Sequence, residues 1–558
     1  MICQNSYGAV YTPIELSDFV SQLVAKEYIK SKLSRKNTVI LDPACGEGIL
    51  LKSVERLLPK NNGFKYVGVD IDTKVIKKNK KNTSIESYIY ICQNSILPSL
   101  ATGADLYWKK KLKNVSIIIA NPPWSSEKVF NEKALNKAGY SFLVGQYDCY
   151  VLFVELCIKI INDNGIIAFI IPDSLFSGEN GALRKYLCEN TEIKVIARLG
   201  EKIFPNVNRA ASIIILKKCK PSNRTQTKCY RLNTDDRKRF INGELKLNDV
   251  FHAKQHKILQ NRFLQNTNCV FDIDTLQEEE VILRRIEKDK LKWEDKFQFG
   301  RGVEISKSGE IIICNFCKKA QGYSKKQLIA GKKVCQHCKK EIRFNGSQLE
   351  SIISEQNIKQ YMPMYVGENI KRYTFNGIKY LRLNVGGINY KNSSLYTPPK
   401  ILIRKTGLGI YACIDYNSTY INQTVYSCNF KCSEQEVPLE YYLGVLNSRL
   451  IYYYYLKRYG ENEWKSHPYL TKEIIFSLPI KTVTMENYKL CMDIAEKVKR
   501  LITFYDQYVD MEIEAMVMKL YGISEADYKY IRSEMNRLPN LSAINNMKIT
   551  NSKLCLDI

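Results

Sequence analysis

Seven short runs rich in β-branched and other apolar residues mark the first 220 residues: Thr38–Leu41, Tyr66–Val69, Tyr88–Cys92, Val115–Ala120, Ile166–Ile171, Lys194–Ala197 and Ser212–Leu216. Helical spacing of apolar positions separates them. The stretch "YVLFVELCIKIINDNG" shows it well, with Gly165 as the predicted C-cap. Such alternation predicts an α/β domain built on a mostly parallel, seven-stranded sheet. Sheets of this kind bind ligands beyond the carboxyl ends of their strands, where the strand order reverses. The residues just after each run are therefore the first place to look for chemistry.

After the first run comes "LDPACGEGIL", an acid followed by a turn of small residues with Gly46 and Gly48, which lets the backbone approach a ligand closely. The chain has no G-x-x-x-x-G-K-[ST] motif, so a nucleoside triphosphate site is unsupported. After the second run, Asp70 stands where an acid can accept from both hydroxyls of a ribose. The third run leads into the amide Asn94. Each signal alone is weak, because a strand-terminal acid is commonly a helix N-cap. Their ordered recurrence points to a cofactor carrying adenosine. The fourth run ends in Asn121-Pro122-Pro123-Trp124. Prolines fix φ and lack an N–H, so they hold their carbonyls rigidly. The Asn121 side-chain oxygen and the Pro122 carbonyl can together accept both hydrogens of one exocyclic amine, and Trp124 offers a flat face for a base to stack on. A rigid turn with a core-packing Trp is the plainer alternative.

The formal charge of +27, from 84 Lys+Arg against 57 Asp+Glu, favours a polyanionic partner, although abundant Lys, Asn, Ile and Tyr also suit compositional drift. At 558 residues, two or three domains are expected. No apolar run reaches membrane-spanning length and no secretory leader is evident, so the 18 cysteines are expected in a reducing compartment. "CNFC" and "CQHC" pair Cys314 with Cys317 and Cys335 with Cys338, which is the ligand spacing of a closed, structural Zn²⁺ site. Two disulfides are the alternative. The four histidines, 252, 256, 337 and 467, lie away from the strand ends, and His252 and His256 are taken as surface residues.

These motifs together resemble the gamma-type amino-DNA methyltransferases that use S-adenosyl-L-methionine, over nearly the whole chain. "GAVYTPIELSDFV", "LDPACGEG", "GVDID" and "NPPW" match that family's cofactor and catalytic motifs in order. "QYDCYVLF" and "GIIAFIIPDSLF" resemble its pocket-shaping motifs. The resemblance implies a Rossmann-like methyltransferase sheet with helices on both faces. It implies catalytic roles for Asn121, Pro122 and Trp124, and a base-packing role for Phe204 within "LGEKIFPNVNRAASIIIL", with core packing as its alternative. Cofactor contacts are implied at Tyr11, Thr12, Pro13, Asp42, Ala44, Gly46, Asp70, Ile71, Asn94 and Pro123. Two departures stand out: the family usually carries Asp where this chain has Asn94, and Tyr or Phe where it has Trp124.

"YMPMYVGENIKRY", "KILIRKTGLGIYACIDYN" and "LEYYLGVLNSRLIYYYYLKRYG" resemble the family's target-recognition domain. The expected organisation is a catalytic domain over 1–220, a connecting segment over 221–295, an α+β recognition domain over 296–482 with a zinc ribbon at 312–342, and a helical region over 483–558. Tyr452–Tyr455 reads as a helix with one buried face, and Ser524 as the N-cap of a later helix.

The reaction this implies is methyl transfer to adenine N6 in double-stranded DNA at a specific site. The leading Asn of the tetrapeptide favours adenine, and no Pro-Cys pair exists for C5-cytosine chemistry. A monomer is expected, cytoplasmic and nucleoid-associated in a bacterium or archaeon. Because the first motif begins at Gly8, modification without cutting is expected, beside a separately encoded restriction endonuclease. The rival readings are methylation of RNA or of a protein glutamine, and a catalytically inactive DNA-binding relative.

Overall fold

The structure is a computed structural model, describing residues 12–31, 37–59, 63–83, 85–99, 102–124, 132–143, 148–205, 207, 209–306, 308–407, 409–432, 437–459 and 470–536. Two compact units divide the chain, one from residues 1–277 with 457–466, the other from 278–456 with 467–558.

All seven predicted strands form: β1 (Val39–Asp42), β2 (Lys65–Asp70), β3 (Tyr88–Cys92), β4 (Val115–Ala120), β5 (Ile166–Pro172), β6 (Glu192–Gly200) and β7 (Ala211–Lys217). The sheet nevertheless has nine strands rather than seven. The segment expected to be a connector supplies β8 (Gln226–Arg231) and β9 (His256–Leu259), giving the order β3-β2-β1-β4-β5-β7-β6-β8-β9. Strands β1 to β5 are mutually parallel where they pair, β7 runs antiparallel between β5 and β6, and β8 pairs parallel with β6. His256, taken as a surface residue, lies half-buried in β9 with Nε2 2.7 Å from the Ile273 carbonyl.

Alternation along the strands feeds two cores. Ile40, Ile117, Ile119 and Ala168 pack with helix α1 (Ile14–Lys30) and helix α2 (Ile49–Leu57) on one face. Leu41, Val69, Ile118 and Phe169 pack with Trp108 and the helix Tyr150–Ile160 on the other. Helix α1 buries Leu16, Phe19, Val20, Leu23 and Val24, the i, i+3, i+4 stripe of a sheet-covering helix. The helix at Tyr150 stops at Ile160, earlier than the Gly165 cap predicted. The left-handed residue in the turn is Asn164 (φ 63°), and Gly165 is needed because a Cβ there would stand 2.5 Å from Ile161 Cγ1.

The second unit is assembled from smaller pieces. One antiparallel sheet pairs Phe297–Arg301, Val425–Phe430, Lys400–Arg404 and Ala412–Asp415, and a second joins Ile353–Ser354, Lys379–Arg382, Tyr361–Tyr365 and Tyr420–Ile421. Asn447, from the Leu-Asn-Ser segment, is fully buried; its side chain donates to the Ala412 carbonyl and accepts from the Ala412 N–H, at 2.9 and 3.1 Å. Tyr452–Tyr455 are all buried, so the helix Arg449–Tyr459 is enclosed there rather than buried on a single face. Ser524 caps the helix Glu525–Asn536 as expected, accepting from Asp527 N–H at 3.1 Å.

Candidate active site

The strand order reverses at β1, whose neighbours are β2 and β4, and the loops after these strands carry the expected motifs. Asp42 ends β1 and is buried; one carboxylate oxygen accepts from Ala44 N–H at 3.0 Å. Burial, partly opposed by that hydrogen bond and reinforced by the Asp70 charge, pushes its carboxyl up to about 8. Asp70 ends β2, where its oxygens accept from Gly46 N–H at 2.8 Å and Asp72 N–H at 2.9 Å. One carboxylate thus closes the glycine turn and holds Asp72, whose own side chain accepts from Lys74 N–H at 2.8 Å and caps helix α3 (Thr73–Asn82).

Two positions in this turn take the left-handed backbone that favours glycine. Gly48 has φ 75°, and a Cβ there would stand 2.9 Å from the Tyr90 hydroxyl oxygen. At Gly46 (φ 47°) a Cβ would meet nothing within 4 Å among the described residues. Ile71 beside it is exposed, an apolar surface next to a half-buried acid. Burial and the Asp42 and Asp70 charges push the Cys45 thiol far above its ordinary range, so the turn supplies no thiolate.

Asn94 follows β3. Its side-chain oxygen accepts from the N–H groups of Ile96 and Leu97, each at 3.0 Å. That oxygen therefore holds its own turn. Ser95 ties the same turn to the first loop, donating to the Pro43 carbonyl at 2.6 Å.

Asn121 follows β4 and donates from Nδ2 to Thr12 Oγ1 at 3.1 Å, joining two motifs that lie 109 residues apart. Thr12 and Pro13 sit just before α1; Tyr11 lies outside the described residues. Pro122 is buried and Pro123 half-buried. Trp124 is only 4% exposed and meets Phe204 edge to face, with ring centroids 5.1 Å apart. Phe204 is 1% exposed, so it acts here as the packing partner of the indole.

A strut beneath the tetrapeptide was not foreseen. Arg209 donates to the Trp124 carbonyl through one guanidinium nitrogen and to Asp148 through the other, at 2.6 Å. Ser174 donates to the same Asp148 oxygen at 2.5 Å. Asp148 and Ser174 lie within segments recognised as pocket-forming, but nothing in their spacing disclosed a link spanning 61 residues.

In the second unit, the Sγ atoms of Cys314, Cys317, Cys335 and Cys338 all lie within 4.8 Å of one another. Cys314–Cys338 and Cys317–Cys335 are each 3.7 Å apart. Sulfurs about 2.3 Å from a shared tetrahedral metal are separated by roughly 3.8 Å. The separation is far too long for a disulfide, and all four are free thiols. Cys314 with Cys317 and Cys335 with Cys338 sit on two knuckles of the same form. Lys318 N–H donates to the Cys314 carbonyl at 2.9 Å, and Lys339 N–H to that of Cys335 at 3.1 Å.

The profile of the family described as N-6 DNA Methylase matches residues 3–296, and that of the TaqI-like C-terminal specificity domain matches residues 362–480. Among curated proteins the chain is similar to the type II methyltransferase M.BanIII of Aneurinibacillus aneurinilyticus, 29% identical over 224 residues and 37% of each chain. It is also similar to the type I restriction enzyme MpnII methylase subunit of Mycoplasma pneumoniae, 23% identical over 330 residues and 56% of each chain. The match therefore spans about half or less of these relatives' lengths. Its fold resembles the ATP-dependent type ISP restriction-modification enzyme LlaBIII bound to DNA, with a TM-score of 0.51, 12% identity, and coverage of 90% of this chain and 40% of that one.

Proposed function

The chain belongs to the N-6 DNA methylase family, and we propose that it transfers a methyl group from S-adenosyl-L-methionine to N6 of an adenine turned out of duplex DNA. The observation that carries the reading is the placement of Asn121 and Pro122 at the end of β4. Thr12 braces them there, beside the Asp42–Gly46–Asp70 turn. The space that the described residues leave above Gly46 and the exposed Ile71 suit an adenosine. Asp70 would hold the ribose, Asn94 the cofactor's adenine, and Asp42, with the Thr12–Pro13 segment and Ala44, the methionine end.

When bound, S-adenosylmethionine supplies an electrophilic methyl on a positively charged sulfur. The chain's part is to position the amine. Two fixed acceptors, the Asn121 side-chain oxygen and the Pro122 carbonyl, take the two N6 hydrogens. They draw the nitrogen toward tetrahedral geometry, which localises its lone pair for in-line attack. As N6 takes the methyl, the S–CH₃ bond breaks to leave a neutral thioether, and the surplus N6 proton passes to water. The indole of Trp124 is enclosed in this structure, so admission of a base requires one of its faces to open. Stacking on that face contributes about 1–3 kcal/mol toward extruding the base.

The second unit, carrying the TaqI-like specificity match, would choose the site, with the four cysteines holding a structural Zn²⁺. Restriction-modification is the setting we infer, with an endonuclease activity as the counterpart and the cytoplasm, where the DNA lies, as the location. Among the described residues no helix is long and apolar enough to cross a membrane. The test offers labelled cofactor to duplex DNA, RNA and protein. Label on adenine N6 of DNA supports the reading, and label on RNA or glutamine alone overturns it. One zinc per chain by metal analysis, lost in Cys317→Ser, is expected; an unchanged metal content in that variant would remove the cysteine site.

A further inference from the structure

The cysteine hairpins lie between the two stretches with family matches, 3–296 and 362–480, in a part of the chain that neither covers. Their sequence repeats as "CNFCKK" and "CQHCKK". The structure turns that repeat into two matching knuckles. Lys318 (φ 60°) and Lys339 (φ 64°) take the same left-handed position after their cysteine pairs, and Lys319 and Lys340 follow as exposed neighbours. Phe316 and His337 hold the corresponding place inside each knuckle, and both are exposed. Lys340 Nζ lies 4.8 Å from the centroid of the Phe316 ring.

Charge accumulates on this hairpin pair with little acidic compensation. Lys318, Lys319, Lys325, Lys326, Lys339 and Lys340 are exposed, and the one exposed acid between the knuckles and Arg343 is Glu341, which lies 4.0 Å from Lys332 and 3.9 Å from Arg343. A solvated charged face ordinarily mixes its signs. Here the lysines repeat at equivalent positions on a scaffold whose shape four converging thiols fix. Each pair stands next to an exposed ring. That arrangement suits a polyanion of regular spacing, with the lysines as point charges for phosphates.

We propose that the paired knuckles form a DNA-backbone clamp additional to the catalytic and specificity elements, in which Lys318, Lys319, Lys339 and Lys340 bind duplex phosphates. The proposal rests on the reading of the protein as a DNA methyltransferase. It assigns affinity rather than sequence choice to the ribbon, since phosphate contacts carry no base information.

The test compares the full-length, zinc-containing protein with the variant K318N/K319Q/K339N/K340Q, in which Asn serves the two left-handed positions. A second variant, K319Q/K340Q, leaves those positions untouched. Binding of a long mixed-sequence duplex is titrated at several salt concentrations, alongside zinc content and cofactor-analogue binding. Four lost phosphate contacts should flatten the log–log salt slope by about 3 to 4 and weaken binding about 10- to 100-fold near 0.1 M salt. The double variant should show about half that change in slope. Cofactor binding and zinc content should be retained, and methylation at saturating DNA should keep its sequence preference. Unchanged affinity and slope in both variants would overturn the clamp, as would a loss confined to structured RNA. If the unmodified protein binds the cofactor analogue yet neither binds nor methylates DNA, the methyltransferase reading itself fails.

Discussion

The two units build their interiors on sheets of different size. In the first, β4 and β5 are buried at every position, and successive side chains feed cores above and below a single sheet. In the second, the sheet strands run from two to six residues in separate small sheets, and, as in the first, where Arg198–Asp173 and Arg262–Asp272 are buried, charges take part in the interior. Asp510 accepts from Arg372 and, at 3.1 Å, from Arg449, which also approaches Glu514 at 3.5 Å. Lys400 and Asp415, both buried, lie 2.7 Å apart. Apolar burial is tolerant of small changes in geometry. An interior of paired charges is not, because removal of one member strands the others.

This contrast can be broken most directly at Asp510. Asp510→Ala leaves Arg372 and Arg449 without their shared carboxylate, and should cost the second unit about 3–5 kcal/mol. Chemical denaturation followed by far-UV circular dichroism should show an earlier transition, while cofactor-analogue binding persists. A shift below 1 kcal/mol would mean that the network is dispensable. Its pH signature is acidic. The two guanidinium groups outweigh burial and hold the Asp510 carboxyl at about 2, so its contribution is present above the ordinary carboxylate value of about 4 and is lost as pH falls through 2.

Asn121→Ala attacks the first unit's chemistry rather than its stability. Loss of one fixed acceptor should lower kcat by about 10²- to 10³-fold, with DNA and cofactor affinities nearly kept. Single-turnover methylation reads it, and equal rates would reject the site. Asp42 gives the opposite pH behaviour to Asp510. Burial raises its carboxyl to about 8, so its contribution to the cofactor-free fold is complete below the ordinary carboxylate value and is lost as pH rises through 8. An ammonium group binding there requires the charged form. Cofactor affinity should therefore strengthen by up to about tenfold per pH unit between 6 and 8, and Asp42→Asn should flatten that slope. A pH-independent affinity in the unmodified protein would remove Asp42 from the cofactor site. The smallest effect is expected at Asn94. Asp there can accept the same two backbone N–H groups, so Asn94→Asp should change cofactor affinity by no more than about fivefold, the worth of one hydrogen bond. A larger loss by calorimetry would show that the amide NH₂ is indispensable.

The same contrast explains what the residues disclosed in advance. Strands β1 to β7 were legible because their β-branched runs are compact and bounded. "QTKCYR" and "HKIL" were not, since the strands at the β8–β9 edge carry polar residues that mimic a connector. The strand-end motifs were legible because one tight turn or one strand end places each of them. The Asp148–Arg209 strut was hidden, as no local pattern reports an ion pair that the fold alone brings together. The cysteine cluster stood out because ligand spacing is a local property, whereas the short strands of the second unit lack enough residues to express a period.

The strut has a consequence for how the tetrapeptide can vary. Arg209 grasps the carbonyl of residue 124, a group that every amino acid carries, and leaves the ring itself unanchored by polar bonds. Registration of the loop is thereby divorced from the identity of its aromatic. Indole, phenol or phenyl can hang from the same tethered peptide, and what each must settle is its packing against Phe204 rather than the placing of the two acceptors ahead of it.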